Sequence, residues 1–274
     1  MNYTINIKGR LLDLSRPVVM GILNATPDSF YDGSRKQTER EIAERANEIV
    51  GEGGAIIDVG AYSTRPGAEQ VTEEEEMRRL RIALEIIRRE QPTAALSIDT
   101  FRPSVARMAV EEFGADIIND VSEGQHPDMF ATAASLGTPY ILTSTKSNMP
   151  DMLMAFAREV QELRDLGQKD IILDLGFGFG KTLEENYEIM HHLDKLRMME
   201  LPVLAGVSRK SMIYKLTGGN PESSLNGTTA LNTMALMKGA AILRVHDVRE
   251  AVETIRIYEA TEHAGTRKEK THRQ

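Results

Sequence analysis

Short apolar runs recur along the chain, and each stops at polar residues. They are VVMGILNA from Val18, AIIDVGA from Ala55, ALSIDT from Ala95, DIINDVS from Asp116, PYILTST from Pro139, DIILDLG from Asp170, PVLAGVS from Pro202 and ILRVHD from Ile242. Runs this short, with β-branched residues and Gly or Pro at their borders, read as buried parallel strands. Helical spacing fills the gaps. Thr38 with Glu41, and Thr72 with Glu75, have the spacing of capping boxes and predict helix starts. Met77, Leu80, Leu84 and Ile87 follow at helical intervals, as do Phe156, Val160 and Leu163 before the sixth run. Pro103 suits the first turn of a helix, and Gly114 a helix stop.

Eight strands alternating with helices predict an α/β protein, a (β/α)8 TIM barrel. A doubly wound sheet is the structural alternative. The barrel is favoured because the eight runs fill the 274 residues and leave no spare domain. The expected division is a single domain over 1–274. Residues 1–16 form a short N-terminal β-hairpin, turning at Lys8-Gly9-Arg10 and covering the bottom of the barrel. Residues 17–260 form the barrel, and 265–274 a charged, disordered tail.

Composition narrows the function. The net charge of −8 argues against a nucleic-acid partner held by bulk positive charge, while leaving room for a local basic pocket. The absence of cysteine removes disulfides, thiolate metal sites and cysteine nucleophiles. No apolar run approaches the roughly 20 residues that span a bilayer. MNYTINIKGRLLDL lacks a long apolar region, so no signal peptide is expected. The expectation is a cytoplasmic protein with neither membrane nor nucleic-acid partner.

Barrel enzymes place their chemistry at the carboxyl ends of the strands. Here those ends carry Asn24, Asp99, Asn119, Asp174, Lys210, Arg244 and His246. Each has a plainer reading taken alone. Asn119 could be a turn residue and Asp99 a helix cap; their coincidence at one face sets them apart. Asp58 and Asp120 read instead as ties between strands. The run Glu73 to Glu76 reads as a solvated helix start that complements the dipole. Asp99, Asn119 and Asp174 offer acceptors for a donor-rich heterocycle. Arg65, Arg244 and His246 offer donors for an anion, and the Asn24 amide oxygen suits a hard cation. Lys210 ends the seventh run, near the region where barrels often bind phosphate. Anion, cation and flat polar ring in one pocket point to displacement of a diphosphate. GFGFGK from Gly176 lacks phosphate-loop spacing, and its glycines read as allowing close backbone approach to a ligand.

The segments NATPDSFYDGS, DVGAYSTRPGA, SIDTF, INDVS, GFGFGKT, GVSRKS and RVHD, in this order, resemble the dihydropteroate synthase family, folate-pathway enzymes targeted by sulfonamides. The resemblance runs from about Val18 to Ile257. It implies a transferase that condenses 6-hydroxymethyl-7,8-dihydropterin diphosphate with p-aminobenzoate, giving 7,8-dihydropteroate and diphosphate. It also implies magnesium (Mg2+) and a homodimer. Carried over by motif, Asp99, Asn119, Asp174, Phe179, Gly206 and Lys210 are implied to hold the pterin. Asn24, Thr64, Arg244 and His246 are implied to hold diphosphate, with Asn24 as magnesium ligand. Phe30, Arg65, Pro66 and Ser211 are implied to form the p-aminobenzoate pocket. Lys210, Arg244, His246 and Asp32 are implied to act in catalysis, Asp32 near a developing cation at the exocyclic carbon.

The chain departs from the family at three places. After the fifth run it reads ILTSTKSNMPDMLMAF, with Thr143 where the family has the first residue of a Met-His-Met segment, and the stretch that follows is shorter. Asp174-Leu175-Gly176 replaces Asp-Pro-Gly, and Ala25 stands where valine is frequent. A pterin slot lacking one wall is the expectation. The alternative function is a pterin-binding paralogue with reduced or no synthase activity.

Overall fold

The computed structural model describes residues 3–25, 35–62 and 71–271. After an antiparallel hairpin, β1 (Thr4–Ile7) and β2 (Arg10–Asp13), the chain alternates strand and helix. The order is β3 (Val18–Asn24), α1 (Arg35–Gly51), β4 (Ile56–Gly60), α2 (Glu73–Glu90), β5 (Ala95–Asp99), α3 (Pro103–Phe113), β6 (Ile117–Asp120), α4 (Met129–Leu136), β7 (Tyr140–Thr143), α5 (Met149–Asp165), β8 (Ile171–Asp174), α6 (Leu183–His191), β9 (Val203–Ala205), α7 (Ser211–Thr217), α8 (Leu225–Lys238), β10 (Ile242–Val245) and α9 (Val248–Thr271). Strands β3 to β10 are parallel and close into one barrel, β10 pairing with β3. All eight apolar runs are barrel strands. Among the described residues, no helix is long and apolar enough to cross a membrane.

Period-two alternation sorts each strand's side chains into two cores. Met20, Ile56, Ala95, Ile117, Ile141, Ile172, Leu204 and Ile242 form one cluster inside the barrel. Their neighbours Val19, Ile57, Leu96, Ile118, Leu142, Leu173, Val203 and Leu243 belong to the other, between barrel and helices. Ile5, Ile7 and Leu14 join the inner cluster, so the hairpin closes the amino-terminal end as expected. Two residues further along, the inward positions turn polar on six of the eight strands: Asp58, Ser97, Asn119, Thr143, Asp174 and Arg244. The floor is dry and the mouth is not.

Helix ends follow local chemistry. The Thr72 hydroxyl accepts from Glu75 N at 3.3 Å, while Glu75 spends its carboxylate on Arg78 and Arg79, so only half a capping box forms. Pro103 opens α3, and Gly114 ends it at φ 68°. Thr182 and Glu185 form a complete box at α6, which the sequence reading did not single out. Helix α1 starts at Arg35, so Thr38 lies within it rather than capping it. Helix α9 is helical as far as Thr271, into the stretch where the sequence predicts disorder; its Arg, Lys and Glu residues favour helix.

Glu76 differs from the expectation for its acidic run. It is fully buried and pairs with Arg102 at 2.5 Å and the Thr100 hydroxyl at 2.7 Å. The periodicity explains this. Residue 76 shares a helix face with Leu80, Ala83, Leu84 and Ile87, all fully buried.

The floor makes one prediction. Truncating Ile7 to Ala should cost about 2–4 kcal/mol, because the cavity opens where hairpin and barrel cannot collapse together. Chemical denaturation measures it.

Candidate active site

The polar ring at the carboxyl end is organised by Arg244. Its Nε donates to Asp58 Oδ2 and its Nη2 to Asp99 Oδ2, each at 2.6 Å. Asp58 is fully buried. It also accepts from the Asn119 amide, at 3.2 and 3.4 Å. A carboxylate can only accept there, so Asp58 turns the amide nitrogen toward itself and leaves Asn119 Oδ1 facing away. That oxygen is buried without a partner among the described residues, as are Ser97 Oγ and Thr143 Oγ1. Asp58 is thus more than the strand tie the sequence suggested. Asp120, by contrast, points outward and is such a tie. It takes the Tyr140 hydroxyl at 2.5 Å, Ser122 N at 2.8 Å and Gly124 N at 2.9 Å. Alternation separates the two readings, since Asn119 faces inward and Asp120 outward.

Asp174, nearly buried, accepts from Gly176 N at 2.9 Å. Burial raises its pKa, and the Lys210 charge opposes the shift. Burial, with Asp58 nearby, also raises Asp99, against the pull of Arg244. Lys210 donates to the Phe177 carbonyl and lies 4.6 Å from the centre of the Phe179 ring. Burial lowers its pKa to about 8. Gly206 lies beside Asp174 and Arg244: a β-carbon there would stand 3.9 Å from both Asp174 Oδ2 and Arg244 Cβ.

Gly176, just after β8, serves the loop itself, whereas a β-carbon at Gly178 would meet Lys210 Cδ at 3.1 Å. Gly176, at φ +63°, could carry no β-carbon, which would fall 2.1 Å from the Ser144 carbonyl oxygen. The close approach is therefore to the neighbouring loop's backbone, where the sequence reading expected a ligand. Lys181 Nζ fastens this crossing, donating to the carbonyls of Gly176 at 2.8 Å and Ser144 at 3.1 Å.

His246 is held on three sides. Arg45 Nη2 donates to its carbonyl at 2.5 Å, its N–H donates to Ser208 Oγ at 3.1 Å, and Nδ1 lies 3.0 Å from the same oxygen. Which of Ser208 Oγ and Nδ1 donates in this contact follows the ring tautomer, because the hydroxyl oxygen can accept from both the backbone N–H and Nδ1–H. Burial, then the positive charges of Arg209 and Arg244, lower its pKa to about 4. Asn24 is exposed at the end of β3, and Ser211 begins α7 immediately after Lys210. Phe30, Asp32, Thr64, Arg65 and Pro66 lie outside the described residues.

This arrangement has known counterparts. A family model described as "Pterin binding enzyme" matches residues 20–246. The chain belongs to that family of pterin-binding enzymes. Within it the similar proteins are dihydropteroate synthases, and the chain is a transferase of that kind. The dihydropteroate synthase of Escherichia coli K12 is 40% identical over 269 residues, covering 93% of this chain and 95% of that protein. The Xanthomonas albilineans dihydropteroate synthase solved with 4-aminobenzoic acid superposes with a TM-score of 0.89 at 35% identity, over 96% of this chain and 99% of that one. The same enzyme in complex with 7,8-dihydropteroate gives 0.85 at 34% identity, over 95% and 99%.

The histidine gives a pH prediction. Its folded pKa, about 4, lies below the ordinary 6.5, so the neutral form is favoured. Its stabilising contribution is complete above pH 6.5 and is lost as pH falls toward 4. A bound anion reverses the preference and favours the charged ring. Under the diphosphate role that the family resemblance implies for His246, diphosphate binding at about pH 6 should therefore take up protons. Titration calorimetry in buffers of different ionisation enthalpy should show this uptake, and His246→Ala should abolish it.

Proposed function

We propose that the carboxyl-end ring of this barrel is the site where a dihydropterin diphosphate loses diphosphate to the amine of p-aminobenzoate. The observation that carries the residue roles is the set of inward polar groups on successive strands. Among the described residues, Asn119 Oδ1 is buried without a partner, and Asp174 has one backbone donor. These acceptors suit the amino and ring N–H donors of a pterin. Lys210 stands on its carbonyl side, Phe179 and Gly206 shape the slot, and Asp99 orients Arg244.

Diphosphate would lie toward the mouth, near Asn24, Thr64, His246 and Arg244. Two nitrogens of Arg244 are committed to carboxylates, so its positive field acts at the pocket while its position stays fixed. With Nδ1 accepting from Ser208 Oγ, His246 would donate from Nε2 even when neutral. Among the described residues no three His, Asp or Glu side chains group as a metal site. A single amide oxygen from Asn24 fits magnesium that arrives with diphosphate and keeps phosphate and water ligands. When bound, magnesium would supply countercharge for the leaving group. Phe30, Arg65, Pro66 and Ser211 would receive p-aminobenzoate, with Asp32 beside the developing cation. Electron donation from the dihydropterin ring favours a dissociative path, so these residues position and neutralise rather than attack. Exposed Leu216, Met234 and Met237 on α7 and α8 support a homodimer, since a second copy would cover them. A cytoplasmic setting suits the cysteine-free chain.

A coupled assay for diphosphate release, given both substrates, tests the activity. In the same preparation, Asp174→Ala should weaken pterin binding by about 1.5–3 kcal/mol, roughly ten- to hundredfold in Kd, while the protein stays folded. Calorimetry with a pterin ligand reads this directly, and unchanged affinity in a folded variant would remove Asp174 from the site.

A further inference from the structure

Thr143 ends β7 at an inward position of the barrel. Ile141, two residues earlier, belongs to the inner cluster, while Tyr140 and Leu142 belong to the outer one. Its register partner on β8 is Asp174. The side chain is fully buried, and Oγ1 has no hydrogen-bond partner among the described residues. A buried hydroxyl without a partner is costly, and most such groups are satisfied. This one stands beside a carboxylate proposed to bind substrate.

The hydroxyl cannot easily turn away. A β-branched side chain has few χ1 options, and the methyl lies against the loop after β8, 3.1 Å from where a β-carbon on Gly176 would be. The backbone just beyond is pinned from both sides. Ser144 N donates to the Asp174 carbonyl at 2.8 Å, and Lys181 Nζ donates to the Ser144 carbonyl at 3.1 Å. Glu123, reaching over from the loop after β6, accepts from Ser144 Oγ at 3.0 Å, from Lys146 Nζ at 2.9 Å and from the Thr145 hydroxyl. The short segment expected to leave a wall missing is therefore cross-linked to both neighbouring loops, and it holds a polar atom in place.

We propose that the Thr143 hydroxyl is a further specificity-determining contact of the pterin slot, forming a hydrogen bond to the heterocycle beside Asp174. This rests on the pterin-binding reading above. An aspartate carboxylate can only accept, whereas a hydroxyl also donates, so Asp174 in its ionised form and Thr143 together can meet both a ring N–H and a ring acceptor. The chain thereby reads ring polarity at a position where its family places a thioether.

Thr143→Val keeps the shape and removes the hydroxyl. The test is fluorescence titration with 6-hydroxymethylpterin on the full chain, with thermal unfolding alongside. Thr143→Val should bind roughly tenfold or more weakly, Thr143→Ser should stay close to the parent protein, and Tm should not fall, because an unpartnered hydroxyl has left the free protein. In steady state, KM for the pterin substrate should rise while KM for p-aminobenzoate holds. Thr138→Val is the matched control. Its hydroxyl is also buried and has no partner among the described residues, but it sits before β7, at the opposite end of the strand, and its loss should leave pterin affinity unchanged. If the valine variant does not fold, Thr143→Ala gives the same reading. Affinity equal to the parent in Thr143→Val, or an equal loss in Thr138→Val, overturns the proposal. If the parent protein itself fails to bind pterin, the underlying reading fails instead.

Discussion

One guanidinium holds the site together. Arg244, from the last strand of the barrel, reaches across the interior to carboxylates on β4 and β5. The three charged groups would be expensive to bury separately. Together they form short, charge-assisted hydrogen bonds that offset much of that cost. One side of the polar ring takes its geometry from this bridge. Asp58, held by Arg244, sets which way the Asn119 amide faces. Asp99, held by the same group, is kept at the rim. Removing one partner would leave a buried charge uncompensated, an effect of about 3–5 kcal/mol in comparable pairs. The structure therefore ties substrate-facing geometry to fold stability through a single side chain.

Much of this was legible in the chain. Eight apolar runs became eight barrel strands because strands buried on both faces must be short and continuously apolar. The polar residues at their ends converged because a closed parallel barrel gathers its carboxyl ends at one mouth. What stayed hidden depended on direction rather than identity. Asp58 and Asp120 look alike in sequence, each an aspartate within an apolar strand, yet one faces into the barrel and the other outward. Counting in twos from Asp99 and Asn119 would have separated them. Glu76 was concealed by its acidic neighbours, although helical counting from Leu80 places it on the buried face. The route by which Lys181 joins two loops had no sequence signal, since its partners are backbone carbonyls.

Departures from the family pattern take on a different character in three dimensions. A shortened loop suggests an open flank. Here Glu123 gathers a serine, a threonine and a lysine from that segment, and glycines at positive φ let the next loop pack against it. The flank expected to be open is a polar seam. The loops after β6, β7 and β8 form one fastened arc of the mouth.

The hairpin gives the barrel a blind end, and this has a consequence for order in time. A vessel with a single opening works as a stack: what lies deepest enters first and leaves last. A ring reaching Asn119 and Asp174, both almost entirely enclosed, occupies the bottom of that stack, and groups near the exposed Asn24 occupy the top. Under the proposed roles, a completed product cannot be lifted out until whatever sits above it has gone. Under those roles, the plug of isoleucines far from any reacting atom would set the sequence in which molecules arrive and depart.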